Sequence, residues 1–472
     1  MEITGKRVLV LGLGESGLAC ACWCLRQGAS VRVADTRAAP PYLGELKRRS
    51  ASADFQFEFV AGEFAPGLLD GVDLLVISPG LSGSLPVVTE ARGKGIPVVG
   101  EIELFACGLR ALTAGLPTPV IAITGTNGKT TTTALTGHLL RATGKRVGVA
   151  GNISPAALTA LMDAEDAGLL PQIWVLELSS FQLETARTLN PAVASVLNIS
   201  DDHLDRYHDL DDYARAKAAI FQSAPGAPCV QVLNRGDARV RRMALADHRI
   251  ISFGVDAPGA AEDFGLRDNR GEPWLVQGDR FLMPLADLPL AGLHNAANAM
   301  AALALCVALG FDANALLPAL RSFRGLPHRV EKVAEIDGVT WYDDSKGTNV
   351  GATVAALGGL GGMNDRKSVV ILGGDGKAQD FSPLCDAVAK HARAAILIGR
   401  DGPLIGRAIA AAGVPAETAA DMDDAVRRAA ALARPGDAAL LSPACASFDM
   451  YRNYEHRAQA FIAAVKALEA GQ

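Results

Sequence analysis

A chain of 472 residues is too long for one hydrophobic core, and at roughly 150 residues per domain it should fold as about three. Its formal charge of −6 offers no basic surface for nucleic acid or an acidic membrane, and 49% apolar residues suffice for large cores. The eight cysteines are scattered apart from Cys20, Cys22 and Cys24, with no paired CxxC or His cluster, so they read as reduced, small buried groups of a cytoplasmic protein.

Met1 to Arg7 passes directly into a strand, with no signal-peptide h-region. The longest apolar run, near Ala299 to Phe311, falls short of the roughly 18 residues a membrane span needs.

The first unit opens with a β-rich run from Lys6 to Leu11, then Gly12-Leu-Gly14-Glu-Ser-Gly17, a helix to Gln27 closed by Gly28, and a strand Val31 to Ala34 ending in Asp35-Thr36-Arg37. This is a full G-x-G-x-x-G with an acid about 18 residues past its last glycine, the fingerprint of dinucleotide binding. Alone it would suggest an NAD enzyme. The same geometry serves any nucleotide diphosphate, with pyrophosphate at the helix start and the acid on a sugar or base. Val72 to Ile77 ends in Ser78-Pro79-Gly80 on the same strand edge, Val98-Val99 and a helix-like Glu101 to Cys107 close the unit, and Pro117-Thr-Pro119 leads onward.

The second unit begins with Ile121-Ala-Ile-Thr124-Gly125-Thr126-Asn127-Gly128-Lys129-Thr130-Thr131, an apolar strand running into a glycine-rich turn and a helix that ends near Gly144. Glycines let the backbone wrap an anion, helix N-H groups point at it, Lys129 adds a cation and the Thr130 hydroxyl can ligate magnesium. The usual G-x-x-x-x-G-K-[ST] needs a glycine where Ile123 stands, so the loop is shorter than that pattern. The bland alternative is a polar turn with a surface lysine.

Val147 to Ala150 leads to Gly151-Asn152, and Ile173 to Leu176 ends in Glu177-Leu-Ser179-Ser180. A charge at the end of an apolar strand is costly unless paired, so Glu177 should face a cation, unless it simply emerges into solvent. Val193 to Ile199 opens into Asp201-Asp202-His203-Leu204-Asp205-Arg206, which places His203 beside the same site or in an ordinary polar loop.

Leu210 to Phe221 has helical spacing and puts Lys217 on the apolar stripe. That lysine either snorkels or loses water, and desolvation would leave a neutral amine able to take up carbon dioxide as a carbamate that binds a second magnesium. Asp256 to Gly271, rich in Gly, Asp and Ala, reads as a loop. Asn295 and Asn298 share a face of the next Ala/Leu helix, where their amides can reach one adenine edge. Gly325-Leu-Pro327-His328-Arg329 reads as a hinge with a cation in it.

In the third unit strands again end in polar clusters: Val339 to Tyr342 before Asp343-Asp344-Ser345-Lys346-Gly347-Thr348-Asn349, Ser368 to Leu372 before Gly373-Gly-Asp375-Gly-Lys377, Ala394 to Ile398 before Gly399-Arg400, and Ala438 to Leu441 before Ser442-Pro443-Ala-Cys445-Ala-Ser447-Phe448-Asp449. Four such clusters on one edge are what ligand sites of open α/β sheets look like.

Together these motifs resemble the Mur ligases, ATP-dependent amide-forming enzymes of peptidoglycan assembly related to folylpolyglutamate synthetases. The resemblance rests on Gly125 to Thr130, Glu177-Leu-Ser-Ser-Phe-Gln182, Asp202 to Tyr207, Ala216-Lys217, His294-Asn295, Pro327 to Arg329, Asp344 to Asn349 and Gly373 to Lys377, and it covers nearly the whole chain. Gly347 stands where a residue such as alanine is expected, and His208 where proline is. Gly12-Leu-Gly14, Asp35-Thr36-Arg37 and Ser442 to Asp449 look most like the branch that adds glutamate to UDP-N-acetylmuramoyl-L-alanine.

The resemblance implies three α/β domains: an N-terminal Rossmann-like one for the UDP sugar (1–99), a central P-loop-type ATPase (100–325) and a C-terminal Rossmann-like one for the amino acid (326–472). It implies that Gly125, Thr126, Asn127, Gly128, Lys129, Thr130, Thr131, Asn295, Asn298, Arg329 and Asp344 bind ATP. Thr130 and Glu177 would hold one magnesium, or manganese, and His203 with carbamylated Lys217 a second, with Lys129, His203 and Lys217 catalytic. Leu13, Ser16, Asp35, Thr36, Arg37, Ser78, Gly80, Asn152, Ser179 and Gln182 would contact the UDP sugar and its alanyl arm, and Thr348, Lys377, Ser447 and Phe448 the glutamate. The expected partners are these small molecules alone, around a monomer.

Overall fold

The alternation of apolar runs with glycine-rich turns becomes three stacks of largely parallel strands in the computed structural model, which describes residues 1–53, 55–116, 118–202, 206–224, 229–290, 292–361 and 366–470. The first sheet holds β1 (Arg7–Leu11), β2 (Ser30–Asp35), β3 (Phe57–Ala61), β4 (Leu74–Ile77) and β5 (Val98–Val99) in the order β3-β2-β1-β4-β5, all parallel. Its order reverses between β1 and β4, and a crevice at the strand ends there is where such sheets bind ligands. The Gly12 turn and the Ser78 turn both open at that point. The third glycine of the fingerprint has a packing reason: a Cβ on Gly17 would lie 2.0 Å from Gly12 O.

The second sheet holds β6 (Val120–Thr124), β7 (Val147–Gly151), β8 (Ile173–Glu177), β9 (Val193–Val196), β10 (Val230–Asn234), β11 (Ile250–Phe253), β12 (Phe264–Asn269), β13 (Glu272–Gln277) and β14 (Arg280–Pro284). Their order is β14-β13-β12-β11-β10-β9-β6-β8-β7, so β6 is central and its loop lies between the ends of β8 and β9. β6 and β8 are buried on both faces, which explains their unbroken apolar runs. The Ala/Leu helix Leu293–Ala308 covers one face, with Ala296 to Cys306 in the same core as Ile121, Ile123 and Leu139. The helix Glu101–Leu112 covers the other, Phe105 packing edge-on against Trp174 of β8 with centroids 5.1 Å apart.

Two expectations change. The segment 256–271 is not simply a loop, because Phe264 to Asn269 form β12. Pairing with β13 and burial of Phe264 and Leu275 override the Gly/Asp/Ala composition, and the strands β12 to β14 add an antiparallel meander to the sheet. β9 also ends at Val196 instead of Ile199, which frees Leu197 and Asn198 to turn toward the phosphate loop.

The third sheet holds β15 (Glu331–Ile336), β16 (Val339–Asp343), β17 (Ser368–Gly373), β18 (Ala392–Ile398), β19 (Ala416–Thr418) and β20 (Ala438–Leu441) in the order β15-β16-β20-β17-β18-β19, with β15 antiparallel. The chain enters it through His328-Arg329-Val330, where His328 and Val330 have φ of +64° and +49°. A β-branched residue in that region is strained, so this connection is held by its surroundings. Among the described residues no helix is long and apolar enough to cross a membrane.

Candidate active site

β6 ends at Thr124, Gly125 and Gly128 take φ of +155° and +81°, and the helix Lys129–Ala142 begins at once. Glycine is required at 128 twice over, by its backbone and because a Cβ would lie 2.3 Å from Asn298 Oδ1. Asn198 shapes the loop: it accepts from Asn127 N at 2.8 Å and donates to Asn127 O at 3.0 Å, while Thr126 N donates to Asn198 O at 2.9 Å. Lys129 Nζ curls back to donate to Gly125 O (2.9 Å) and Thr126 O (2.8 Å), contacts a phosphate oxygen can replace.

Glu177 reaches this loop from β8 and is buried. Its Oε1 accepts from Asn152 Nδ2 at 2.7 Å, while its Oε2 is buried without a hydrogen-bond partner among the described residues. Lys217 lies on the helix Leu210–Ala218, only 1% exposed, and Nζ donates to Gly125 O (3.0 Å) and Thr124 Oγ1 (3.4 Å) over the Tyr213 ring. Two lysine amines thus share the carbonyl of Gly125. Burial, followed by repulsion from Lys129, pushes the Lys217 pKa well below the lysine range, and burial lowers that of Lys129. Glu177 is coupled electrostatically to both lysines, and Lys217 is desolvated instead of snorkelling. His203 lies outside the described residues. The His/Cys/Asp/Glu group near enough to hold a metal among the described residues is His328, Glu331 and Asp343, at the connection into the third sheet, where His328 Nδ1 and Asp343 Oδ2 are already hydrogen-bonded at 2.6 Å.

One cleft beside the loop is lined by Asn127, Gly128, Thr131, Asn295, Asn298, Arg329 and Asp344, so seven of the residues assigned to ATP meet there. Asn298 Nδ2 donates to Asn295 Oδ1 at 3.2 Å, which confirms that the two amides share a face. Arg329 crosses from the third unit to donate to Thr130 Oγ1 at 2.7 Å, and Asn349 Nδ2 donates to Asn127 Oδ1 at 3.2 Å. Asp344 is buried, which raises its carboxyl to about 7, with Ser442 Oγ donating at 2.7 Å. The cleft also takes in Asn198, Phe253 and His294, to which sequence alone attached no contact; His294 is kept neutral by burial, its pKa near 4.

A second cleft, at the reversal of the first sheet, gathers Ser16, Asp35, Thr36, Arg37, Ser78 and Gly80, together with Phe64 and Leu81. The Asp35 carboxylate accepts from Leu13 N (2.8 Å), Arg37 N (2.9 Å), Arg37 Nε (2.8 Å) and Arg37 NH2 (2.7 Å). The Arg37 guanidinium holds it down at about 2. The Leu13 side chain is fully buried, so only its backbone faces this side. Asn152 and Ser179 stand apart on the second unit, whereas Gln182 lines a small cavity with Ser78 and Pro79; Ser179 and Gln182 form a capping box, with Gln182 N donating to Ser179 Oγ at 3.2 Å. Arg206 joins the two groups: it donates to Pro79 O (3.1 Å) and to Glu184 Oε2 (2.8 Å) and stacks over Phe181.

In the third unit the loops bearing Thr348, Lys377 and Ser447 are bonded to one another. Ala444 N donates to Gly347 O at 3.0 Å, and Asp375 and Ala446 exchange backbone bonds of 2.9 and 2.8 Å. Ser447 is buried, Lys377 exposed, and the Phe448 side chain, 70% exposed, stands at the rim.

A glycine-rich phosphate loop with a buried carboxylate beside it and two lysine amines on one of its carbonyls, next to a cleft that gathers seven of the residues expected at a nucleotide, defines a nucleoside-triphosphate-dependent enzyme of several α/β domains. Three family models match along the chain: the Mur ligase MurD-like N-terminal domain over residues 6–100, the Mur ligase middle domain over 123–306, and the Mur ligase glutamate ligase domain over 328–445. The chain belongs to the Mur ligase family, and it is an ATP-dependent amide-forming ligase. A relative from Aromatoleum aromaticum is 56% identical over 469 residues, covering 99% of this chain and 98% of its own, and is named UDP-N-acetylmuramoylalanine--D-glutamate ligase. One of the same name from Dechloromonas aromatica is 54% identical over 470 residues, covering 99% and 100%. Among solved structures, a UDP-N-acetylmuramate-alanine ligase from Thermotoga maritima shares the fold at a TM-score of 0.59 and 19% identity, covering 99% of this chain and 100% of its own.

Proposed function

We propose that this chain joins D-glutamate to UDP-N-acetylmuramoyl-L-alanine at the expense of ATP, in the synthesis of peptidoglycan precursors. The observation that carries the reading is the buried Glu177 Oε2 at the phosphate loop, partnerless among the described residues and coupled electrostatically to Lys129 and Lys217. Such an orphan oxygen fits a bound divalent cation. Similarity to relatives bearing that enzyme name supplies the substrates.

A carboxylate is a poor electrophile. The alanyl carboxylate of the UDP sugar therefore attacks the γ-phosphorus of ATP, forming a C–O–P anhydride and releasing ADP. The glutamate amine then attacks that carbonyl carbon, the tetrahedral intermediate expels phosphate, the nitrogen gives up a proton, and an amide remains. Lys129 holds the β- and γ-phosphates, the loop amides of Gly125 to Thr131 cradle them, and Asn295, Asn298, Arg329 and Asp344 fix the nucleotide. Thr130 and Glu177 would hold one magnesium, and His203 and Lys217 a second; such ions would supply positive charge against the phosphoryl oxygens. For this role the neutral Lys217 amine adds to carbon dioxide, forming a C–N bond and losing a proton to give a carbamate anion.

The UDP sugar lies across the N-terminal cleft toward Asn152, Ser179 and Gln182, and glutamate in the pocket of Thr348, Lys377, Ser447 and Phe448. In this reading the units span 1–99, 100–325 and 326–472, and the protein works as a cytoplasmic monomer. Phosphate release measured with each substrate withheld in turn tests it: release should require ATP, the UDP sugar and D-glutamate together. Release without the UDP sugar, or with another amino acid in preference, would sink the assignment.

A further inference from the structure

One side chain of the third unit is tied to all three loops of the amino-acid pocket. Gln379 is half-buried, two residues beyond Lys377. Its Nε2 donates to Gly376 O (2.9 Å) and Ala444 O (3.4 Å), and its Oε1 accepts from Val350 N (3.2 Å). Gly376 precedes Lys377, Ala444 lies on the turn leading to Ser447, and Val350 opens the helix that follows Thr348. The amide thereby uses its acceptor and both donor hydrogens on three different loops.

The peptide that carries Lys377 is also held from behind. Gly376 N donates to Asp401 Oδ2 at 2.7 Å, and Gln379 N adds a second donor to Gly376 O at 3.0 Å. Lys377 N donates to Asp375 Oδ1 at 3.1 Å, a carboxylate paired with Arg400. Lys377 and Ala378 both adopt left-handed backbone, at φ of +49° and +57°. Two consecutive L residues in that region are disfavoured and persist only where surrounding bonds over-determine them. The Gln379 amide is one of the bonds that hold this strained turn.

We infer that Gln379 is a positioning residue for the amino-acid substrate: with Asp401 it fixes the Lys377 turn and locks it in register with the Thr348 and Ser447 loops. Its acceptor and both donors are already engaged by protein groups. The inference rests on the assignment of Lys377 to glutamate binding. A shift of about 1 Å in a positioning group costs up to roughly 100-fold, and one amide among several bonds should cost less.

Steady-state kinetics on the full chain, varying D-glutamate with ATP and the UDP sugar saturating, tests it with Lys377→Ala, Gln379→Ala, Gln379→Glu and the double variant Lys377→Ala/Gln379→Ala. An unchanged glutamate KM in Lys377→Ala would overturn the assignment of that lysine, separately from the role of Gln379. With Lys377→Ala impaired, Gln379→Ala should raise the glutamate KM about tenfold, leave the KM for ATP and for the UDP sugar within about twofold, and add little to Lys377→Ala. Gln379→Glu keeps the acceptor for Val350 N and loses both donations, so it should raise the glutamate KM as well; being isosteric, it carries the test if the alanine variant does not fold. A glutamate KM unmoved by either Gln379 variant, an equal rise in all three KM values, or a Gln379 effect that multiplies in full with Lys377→Ala would overturn the positioning role.

Discussion

The N-terminal cleft and the phosphate-loop cleft both follow a strand, a glycine-rich turn and a helix, yet they treat charge in opposite ways. In the first, the one buried carboxylate, Asp35, is saturated by four donors from its own chain. In the second, Glu177 keeps a buried oxygen unpartnered among the described residues, and two lysines crowd one carbonyl. A satisfied site has nothing to gain from a cation and offers a finished surface for a ligand to lie on. A site with uncompensated charge is completed by what binds it, which is how a phosphoryl-transfer centre acquires its anion and its metal. On the proposed reading, the better-formed sequence fingerprint marks a binding surface and the shortened one the chemistry.

The largest effect should come from the unsatisfied cleft. Lys129→Ala removes the cation that balances transferred charge and should lower ADP formation about 1,000-fold, with the fold intact by circular dichroism. Near-normal turnover would place the chemistry elsewhere. Next comes Lys217→Ala, expected to lose about 100-fold. Short carboxylic acids added to that variant should restore part of the activity, since a small carboxylate can occupy the place of the carbamate. No restoration at any concentration would break the carbamate reading while leaving the phosphate loop untouched.

The two clefts also differ in how much of them sequence reveals. Glu177 and Lys217 stand out because each is a charge where the local pattern demands an apolar residue, so a few neighbours suffice to read them. Asn198, Arg206 and Gln379 do not, because each acts through partners distant in the chain: Asn198 through Asn127, 71 residues away, Arg206 through Pro79, 127 away, and Gln379 through Ala444, 65 away. Periodicity reports which face of an element is buried, and says nothing about which loop a polar side chain will meet. The same limit hid β12, whose Gly/Asp/Ala-rich approach reads as loop until Leu266 finds Leu275 across the strand pair. In each case a non-local contact supplied what local preference lacked.

The smallest predicted effect tests the satisfied cleft directly. Arg37 and two backbone amides hold the Asp35 carboxyl at about 2, below the ordinary aspartate value of 3.8, because they favour its charged form. A carboxylate with a depressed folded pKa contributes stability that is present above its unfolded pKa and is lost as pH falls through the folded one. The stability difference between the natural chain and Asp35→Asn should therefore hold steady from neutral pH down to about 5, then shrink between roughly pH 4 and pH 2. The full shift corresponds to about 2.5 kcal/mol, but the Arg37 side chain is half exposed and screened, so a change nearer 1 kcal/mol is expected. Urea unfolding across that range measures it. Parallel curves for the two proteins would mean that Asp35 is not charge-satisfied when the cleft is empty, and the contrast with Glu177 would then fall, since both carboxylates would be awaiting a ligand.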